Sequence, residues 1–310
     1  ALYRAHAHYQ YFHQNINQGF IMQPTNNQYY SSISRRRNKW SVFFCLQVML
    51  ASFSFVGQVL AVNEFELATD AQAAKWSGYV NVGFTRNIYD SDSYYAYQAY
   101  NIDSRIDYKA NWGNVLFTLG GEKQTLHGKE SSFYDPLLEY RTPLYALSDT
   151  VSFKGSLGVY LPAERESKLD RLQYAPRIAA YLFWSPLDNL SFYFSPRYRY
   201  NAYQYKTAGE RVLVEQQLDG LLDAYWQITA NWYLDVSGRY RVSKNYYGRR
   251  LDDQFTFAQE LGWSFKPDWV LAVGHNNSGR FYNPEVGTSQ GFEIYDKKSS
   301  TFYLSVTKYL

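Results

Sequence analysis

From residue 75 onward the chain alternates apolar and polar side chains in short runs, and the gaps between those runs themselves alternate between tight and long. This double alternation constrains the fold more than any other feature. In 190–203, Leu190, Phe192, Phe194, Tyr198 and Tyr200 alternate with Ser191, Tyr193, Ser195, Arg197, Arg199 and Asn201. In 232–243, Trp232, Leu234, Val236, Tyr240 and Val242 take one face, and Asp235, Ser237, Arg239, Arg241 and Ser243 the other. A side-chain period of two is that of a β-strand with two different faces. Alternation alone would also suit a soluble sandwich, so the gaps decide.

Strands are expected near 76–87, 94–110, 114–125, 136–146, 150–161, 173–184, 190–204, 217–229, 231–243, 254–266, 268–275 and 299–310. The even gaps are tight: Trp112-Gly113, Ser148-Asp149, Ser185 to Asn189, Thr229-Ala230 and Lys266-Pro267. The odd gaps are long and polar, including 126–135, 162–172, 205–216, 244–253 and 276–298. Short turns on one side and long loops on the other are the pattern of an outer-membrane barrel. The expected fold is therefore all-β, a transmembrane antiparallel β-barrel of about twelve strands, with ten or fourteen as the alternatives. Both termini would be periplasmic and the long loops extracellular.

The remaining composition agrees. Aromatic residues make up 19% of the chain, yet the mean hydropathy is −0.46. A barrel needs apolar residues only at alternate positions, so its average stays polar while aromatic girdles mark both interfaces. Arg35, Arg36, Arg37 and Lys39 precede an apolar run from Trp40 to Val56 and then Val59-Leu60-Ala61, which reads as a signal peptide over 35–61, cleaved after Ala61. An anchoring helix is the alternative. Residues 1–34, polar and lacking methionine before Met22, read as a non-native or mis-started extension, leaving 62–310 as the barrel. Removing 1–61 takes away five of the 31 basic residues and none of the 28 acidic ones, so the remainder carries 26 against 28, a net charge of −2. The basic balance belongs to the leader and gives no argument for nucleic acid. The single cysteine, Cys45, lies in the same leader.

Leu218, Leu222, Ala224, Trp226 and Ile228 form one expected lipid-facing row, and Phe255, Phe257, Leu261, Trp263 and Phe265 another. The opposite, inward face collects Asp103, Arg105, Asp107, Lys109, Glu122, Glu139, Arg141, Lys154, Arg177, Arg197, Arg199, Asp219, Asp223, Asp235, Arg239, Arg241 and Glu260. Of these, Arg105, Lys154, Arg177, Arg197, Arg199, Arg239 and Arg241, with inward Tyr193 and Tyr233, are the candidate pore-lining residues. Guanidinium groups bind carboxylates bidentately, and the inward rings of Tyr181, Tyr193, Tyr203, Tyr225 and Tyr233 can pack on sugar faces. The competing reading is that acids and arginines pair and fill the lumen, since twelve strands lie between barrels that fill and barrels that conduct.

The run Gln173-Tyr174-Ala175-Pro176-Arg177, then Phe183 to Phe192, then Pro196-Arg197-Tyr198-Arg199-Tyr200-Asn201-Ala202-Tyr203, resembles the oligogalacturonate-specific porin family. The ending Leu304 to Leu310 is similar to that family's terminal strand, apart from its final Leu310. The resemblance covers about the last 140 residues. It implies a monomeric twelve-stranded channel in the outer membrane, folded by the barrel-assembly machinery among outer-membrane lipids, needing no cofactor or metal. It also implies passive diffusion of small anionic oligosaccharides, with Arg197 and Arg199 on the arginine-bearing strand.

Two other functions are set against the channel. A hydrolase would need a nucleophile and a base, and after residue 61 the histidines are His127 and His275. Gly274-His275-Asn276-Asn277-Ser278 superficially resembles the histidine–serine strand of outer-membrane phospholipases and deacylases, where the serine follows two residues after the histidine. Here that position is Asn277, and Ser278 falls on the opposite face. Asn276 to Arg280 reads as the start of a loop. A non-conducting surface-binding barrel would use the loop 276–298, which alternatively folds inward to narrow a pore.

Overall fold

The computed structural model describes residues 75–126, 131–283, 288–289 and 291–310. The expected leader and extension (1–61) and His127 lie outside the described residues. Twelve strands form the wall: β1 (Trp76–Arg86), β2 (Gln98–Ala110), β3 (Gly113–Gln124), β4 (Leu137–Arg141), β5 (Val151–Tyr160), β6 (Leu172–Leu187), β7 (Leu190–Tyr200), β8 (Val214–Gln227), β9 (Trp232–Asn245), β10 (Gln254–Lys266), β11 (Trp269–Arg280) and β12 (Thr301–Tyr309). Each pairs antiparallel with its sequence neighbours. The last pairs with the first, from Tyr79↔Tyr309 to Arg86↔Phe302, so the sheet closes. Closure leaves no unpaired edge, which is the condition for β-structure to cross a bilayer.

The outer wall carries the lipid-facing belt. Ile106, Leu157, Ile178, Leu218, Val273 and Leu304, each from a different strand, are more than half exposed. A soluble protein would bury such a ring; hydrocarbon covers it here. Seven of the eight tryptophans (Trp76, Trp112, Trp184, Trp226, Trp232, Trp263 and Trp269) sit at or next to the short-turn end. Trp232 and Trp263 stack at 5.8 Å, and Trp76 meets Tyr108 at 4.8 Å. That is an interfacial girdle, and it fixes the tight turns as the end at one membrane surface.

The structure corrects several expected boundaries. β6 runs on to Leu187, so its turn is only Asp188-Asn189, and Pro186, which has no N–H for the ladder, sits at a register shift between Trp184 and Leu187. The fourth strand stops at Arg141 and resumes as Tyr145–Ala146. In the break Thr142 stays tied to Gly155 through two 2.9 Å bonds, and Leu144 packs inward against Tyr181, Phe183, Tyr193 and Leu221. β11 continues through the stretch read as a loop, pairing Asn276↔Ala258, Asn277↔Phe257 and Ser278↔Thr256.

Inward glycines let large rings lie flat on the wall. A Cβ at Gly262 would strike the ring of Tyr233, and one at Gly274 the ring of Tyr303. Both tyrosines thereby reach Glu260, each at 2.8 Å. Gly274→Ala is expected to cost about 1–3 kcal/mol through overpacking. A lower midpoint in urea unfolding of the purified barrel checks this; an unchanged midpoint contradicts it.

Candidate functional site

The inward face divides by sign. On β4–β7 the described inward side chains include Arg141, Lys154, Arg177, Arg197 and Arg199 against the single carboxylate Glu139. The sharp alternation of these strands places every one of them on the lumen side, because each neighbour in sequence faces lipid.

Glu139 organises the group. It accepts from Arg141 Nε at 3.1 Å and Nη2 at 2.9 Å, from Tyr181 OH at 2.6 Å, and from Arg177. Arg177 also donates to Tyr160 OH at 2.7 Å and Tyr181 OH at 2.9 Å. One carboxylate thus neutralises part of a pair of guanidinium groups, and charge-assisted bonds of this kind are about twice as strong as neutral ones.

Arg197 and Arg199 are bound differently. Arg197 donates to Ser195 Oγ at 3.0 Å and Tyr193 OH at 2.9 Å. Arg199 donates from Nε to Asn201 Oδ1 at 2.7 Å, and its guanidinium lies over the Tyr160 ring at 4.1 Å. Arg141 stacks on Tyr181 at 4.6 Å, and Lys154 lies 5.9 Å from the centre of the Phe183 ring. Tyrosine faces and neutral oxygens thus help to hold Arg197 and Arg199 in place beside the Glu139-bound Arg141.

Elsewhere the candidate cations are balanced. Arg241 makes a bidentate pair with Asp219 on β8, at 2.5 and 3.0 Å, and Arg239 stands one strand from it, across from Leu221. Arg105 is bound to Asp107 at 3.0 and 2.7 Å. Tyr233 belongs with Glu260, not with the arginines. The structure therefore gathers Lys154, Arg177, Tyr193, Arg197 and Arg199, and sets Arg105, Arg239, Arg241 and Tyr233 apart. It brings in Arg141 and Tyr181, both already expected on the inward face, and adds Tyr160. Tyr160 could have been found from its even spacing after Lys154, Ser156 and Gly158 on β5.

His275 and Ser278 do not form a nucleophile–base pair. His275 faces outward, 5.0 Å from the Phe302 ring and 6.0 Å from that of Tyr295, whereas Ser278 is inward on the other face of β11. Of the loop after β11, the described segment 291–299 lies on the outer wall. Phe292 packs on the outward rings of Phe255 and Phe257 at 5.2 and 5.7 Å, and Asn277 Nδ2 donates to the carbonyl of Glu293 at 2.8 Å. The expected alternative of an inward fold is not what this segment does.

No family model matches the chain, and no curated protein matches it. Among solved structures it is similar to an outer membrane channel from Pseudomonas putida F1, with a TM-score of 0.53 and 10% identity, covering 78% of this chain and 98% of that one. At that identity the likeness is one of fold. The KdgM porin overlaps more loosely, with a TM-score of 0.40 and 11% identity over 74% of this chain and 98% of its own. Closed topology, lipid-facing belt and the likeness of fold to the Pseudomonas putida channel agree on an outer-membrane β-barrel.

Proposed function

We propose that this outer-membrane barrel is a channel for the passive diffusion of small anionic solutes, acidic oligosaccharides among them. The observation that supports the reading is the inward cluster on β4–β7: five cations against one carboxylate among the described residues, interleaved with Tyr160, Tyr181 and Tyr193. A carboxylate passing Arg197 and Arg199 would meet guanidinium groups hydrogen-bonded to Tyr193, Ser195 and Asn201, and a sugar ring would find tyrosine faces beside them. The balanced pairs, Arg241–Asp219 and Arg105–Asp107, hold the wall's shape and add little net field.

Reversal potentials across planar bilayers in a salt gradient test this. The wild-type channel is expected to prefer anions, and Arg197→Ser with Arg199→Ser to lose much of that preference. At about 1 kcal/mol per charge in water-like surroundings, the loss is about fivefold per arginine. Equal cation and anion permeability in the wild type, unchanged in the double variant, would refute the anionic reading.

A further inference from the structure

The segment 161–171, between β5 and β6, turns into the barrel. Asp135, just before β4, accepts the backbone N–H groups of Ala163 at 2.8 Å and Glu164 at 2.9 Å through Oδ1. Its Oδ2 accepts the Ser167 hydroxyl at 2.5 Å. Ser167 belongs to the single helical turn α1 (Arg165–Leu169) and is wholly buried. At the far end Asp170 is bound by Arg211 of the next loop at 2.5 Å. The segment is pinned at both ends, and Glu164 between them is only 4% exposed.

Its neighbours place Glu164 inside the wall. It lies within electrostatic reach of Glu122, inward on β3, and of Arg199, inward on β7. Those strands are separated by β4, β5 and β6, so a group that senses both lies within the ring, near Arg199. Among the described residues its Oε1 has no hydrogen-bond partner. A buried carboxylate with an oxygen lacking a hydrogen bond is costly when ionised and more tolerable when protonated. The charged groups that face it are Asp135, Glu166 and Glu122, all of like sign, and Arg199 of opposite sign. Burial first, then Asp135 and Glu166, push its carboxyl well above the usual carboxylate range.

We propose that segment 161–171 is a lid seated in the channel mouth above Arg199, held there while the Glu164 carboxyl is protonated and released when it ionises. The proposal rests on the channel reading for its consequence, though not for its geometry. The sign follows from linkage. A carboxyl that binds its proton more tightly in the seated lid than in solvent favours the seated state at acid pH. That advantage is lost as the pH rises from the ordinary carboxylate range through the raised value.

Hydrogen exchange of segment 161–171, read by mass spectrometry on the purified full chain between about pH 5 and about pH 8, tests this. The ratio of wild-type to Glu164→Gln exchange cancels the intrinsic pH dependence. It is expected to rise with pH, by at most about tenfold per unit for one proton, while Glu164→Gln stays protected throughout. Asp135→Ala is expected to be unprotected at every pH; should it fail to fold, Ser167→Ala shows the same loss in smaller measure. A ratio that stays flat with pH overturns the lid. Closures in bilayer recordings should follow the same order, frequent at acid pH in the wild type and at every pH in Glu164→Gln. A barrel that conducts nothing yet shows the exchange pattern sinks the channel reading and leaves the lid. A conducting barrel with a flat ratio sinks the lid alone.

Discussion

Glu139→Leu is expected to destabilise the barrel by about 3–5 kcal/mol, the cost of leaving buried charges without their partner. The carboxylate is fully buried, and Arg141, Arg177 and Tyr181 all converge on it. Its removal leaves the two guanidinium groups that converge on it with no anion between them. Urea unfolding, followed by the gel mobility of the folded and unfolded forms, reads the effect as a lower midpoint. Removing the two cations as well, in Glu139→Leu with Arg141→Met and Arg177→Met, should restore most of the loss, because well-packed apolar groups often replace a buried ionic set at little cost. A single variant as stable as the wild type would show that Glu139 is not the hub of the wall.

The second large effect lies on the opposite face of the same strand pair. Leu157 is outward near the middle of β5 and 61% exposed. Leu157→Arg is expected to cost about 2–4 kcal/mol, whereas Trp232→Arg, at the girdle, should cost only about 0–1 kcal/mol, because the penalty for a charge falls with distance from the bilayer midplane. The same unfolding measurement in lipid vesicles separates the two. Equal costs would mean that the belt does not meet hydrocarbon.

These two residues show how far the sequence could be read. The period of two put Glu139 and Lys154 on the inward face, where the structure also has them, and Leu138 and Leu157 lie on the other side, since a barrel wall has one wet and one lipid-facing side. Strand ends were harder. Asn276-Asn277-Ser278-Gly279 has loop composition, yet it stays in the ladder. Asn277 is sheathed by Glu293 and Ser299, and Gly279 leaves room for the ring of Phe255. Both supports come from partners distant in the chain. Pro186 reads as a turn residue for the same reason, although a register shift lets β6 carry it.

The site was legible as a set of inward arginines and illegible as a charge balance. Alternation cannot say that Glu139 serves Arg141 and Arg177 at once, because that depends on the register of β4, β5 and β6. Nor can it say that Arg199 bonds Asn201 and lies over the face of Tyr160. Glu164 lies in a segment without any period, and only the fold brings it near Arg199.

The central claim is that the lumen conducts, and single-channel recording of the purified barrel in a planar bilayer tests it most directly. Discrete, ohmic current steps, with the current reduced when an acidic oligosaccharide is added, are the predicted result. A folded and inserted barrel that passes no current, at acid or at neutral pH and with or without the lid substitution Asp135→Ala, would contradict it.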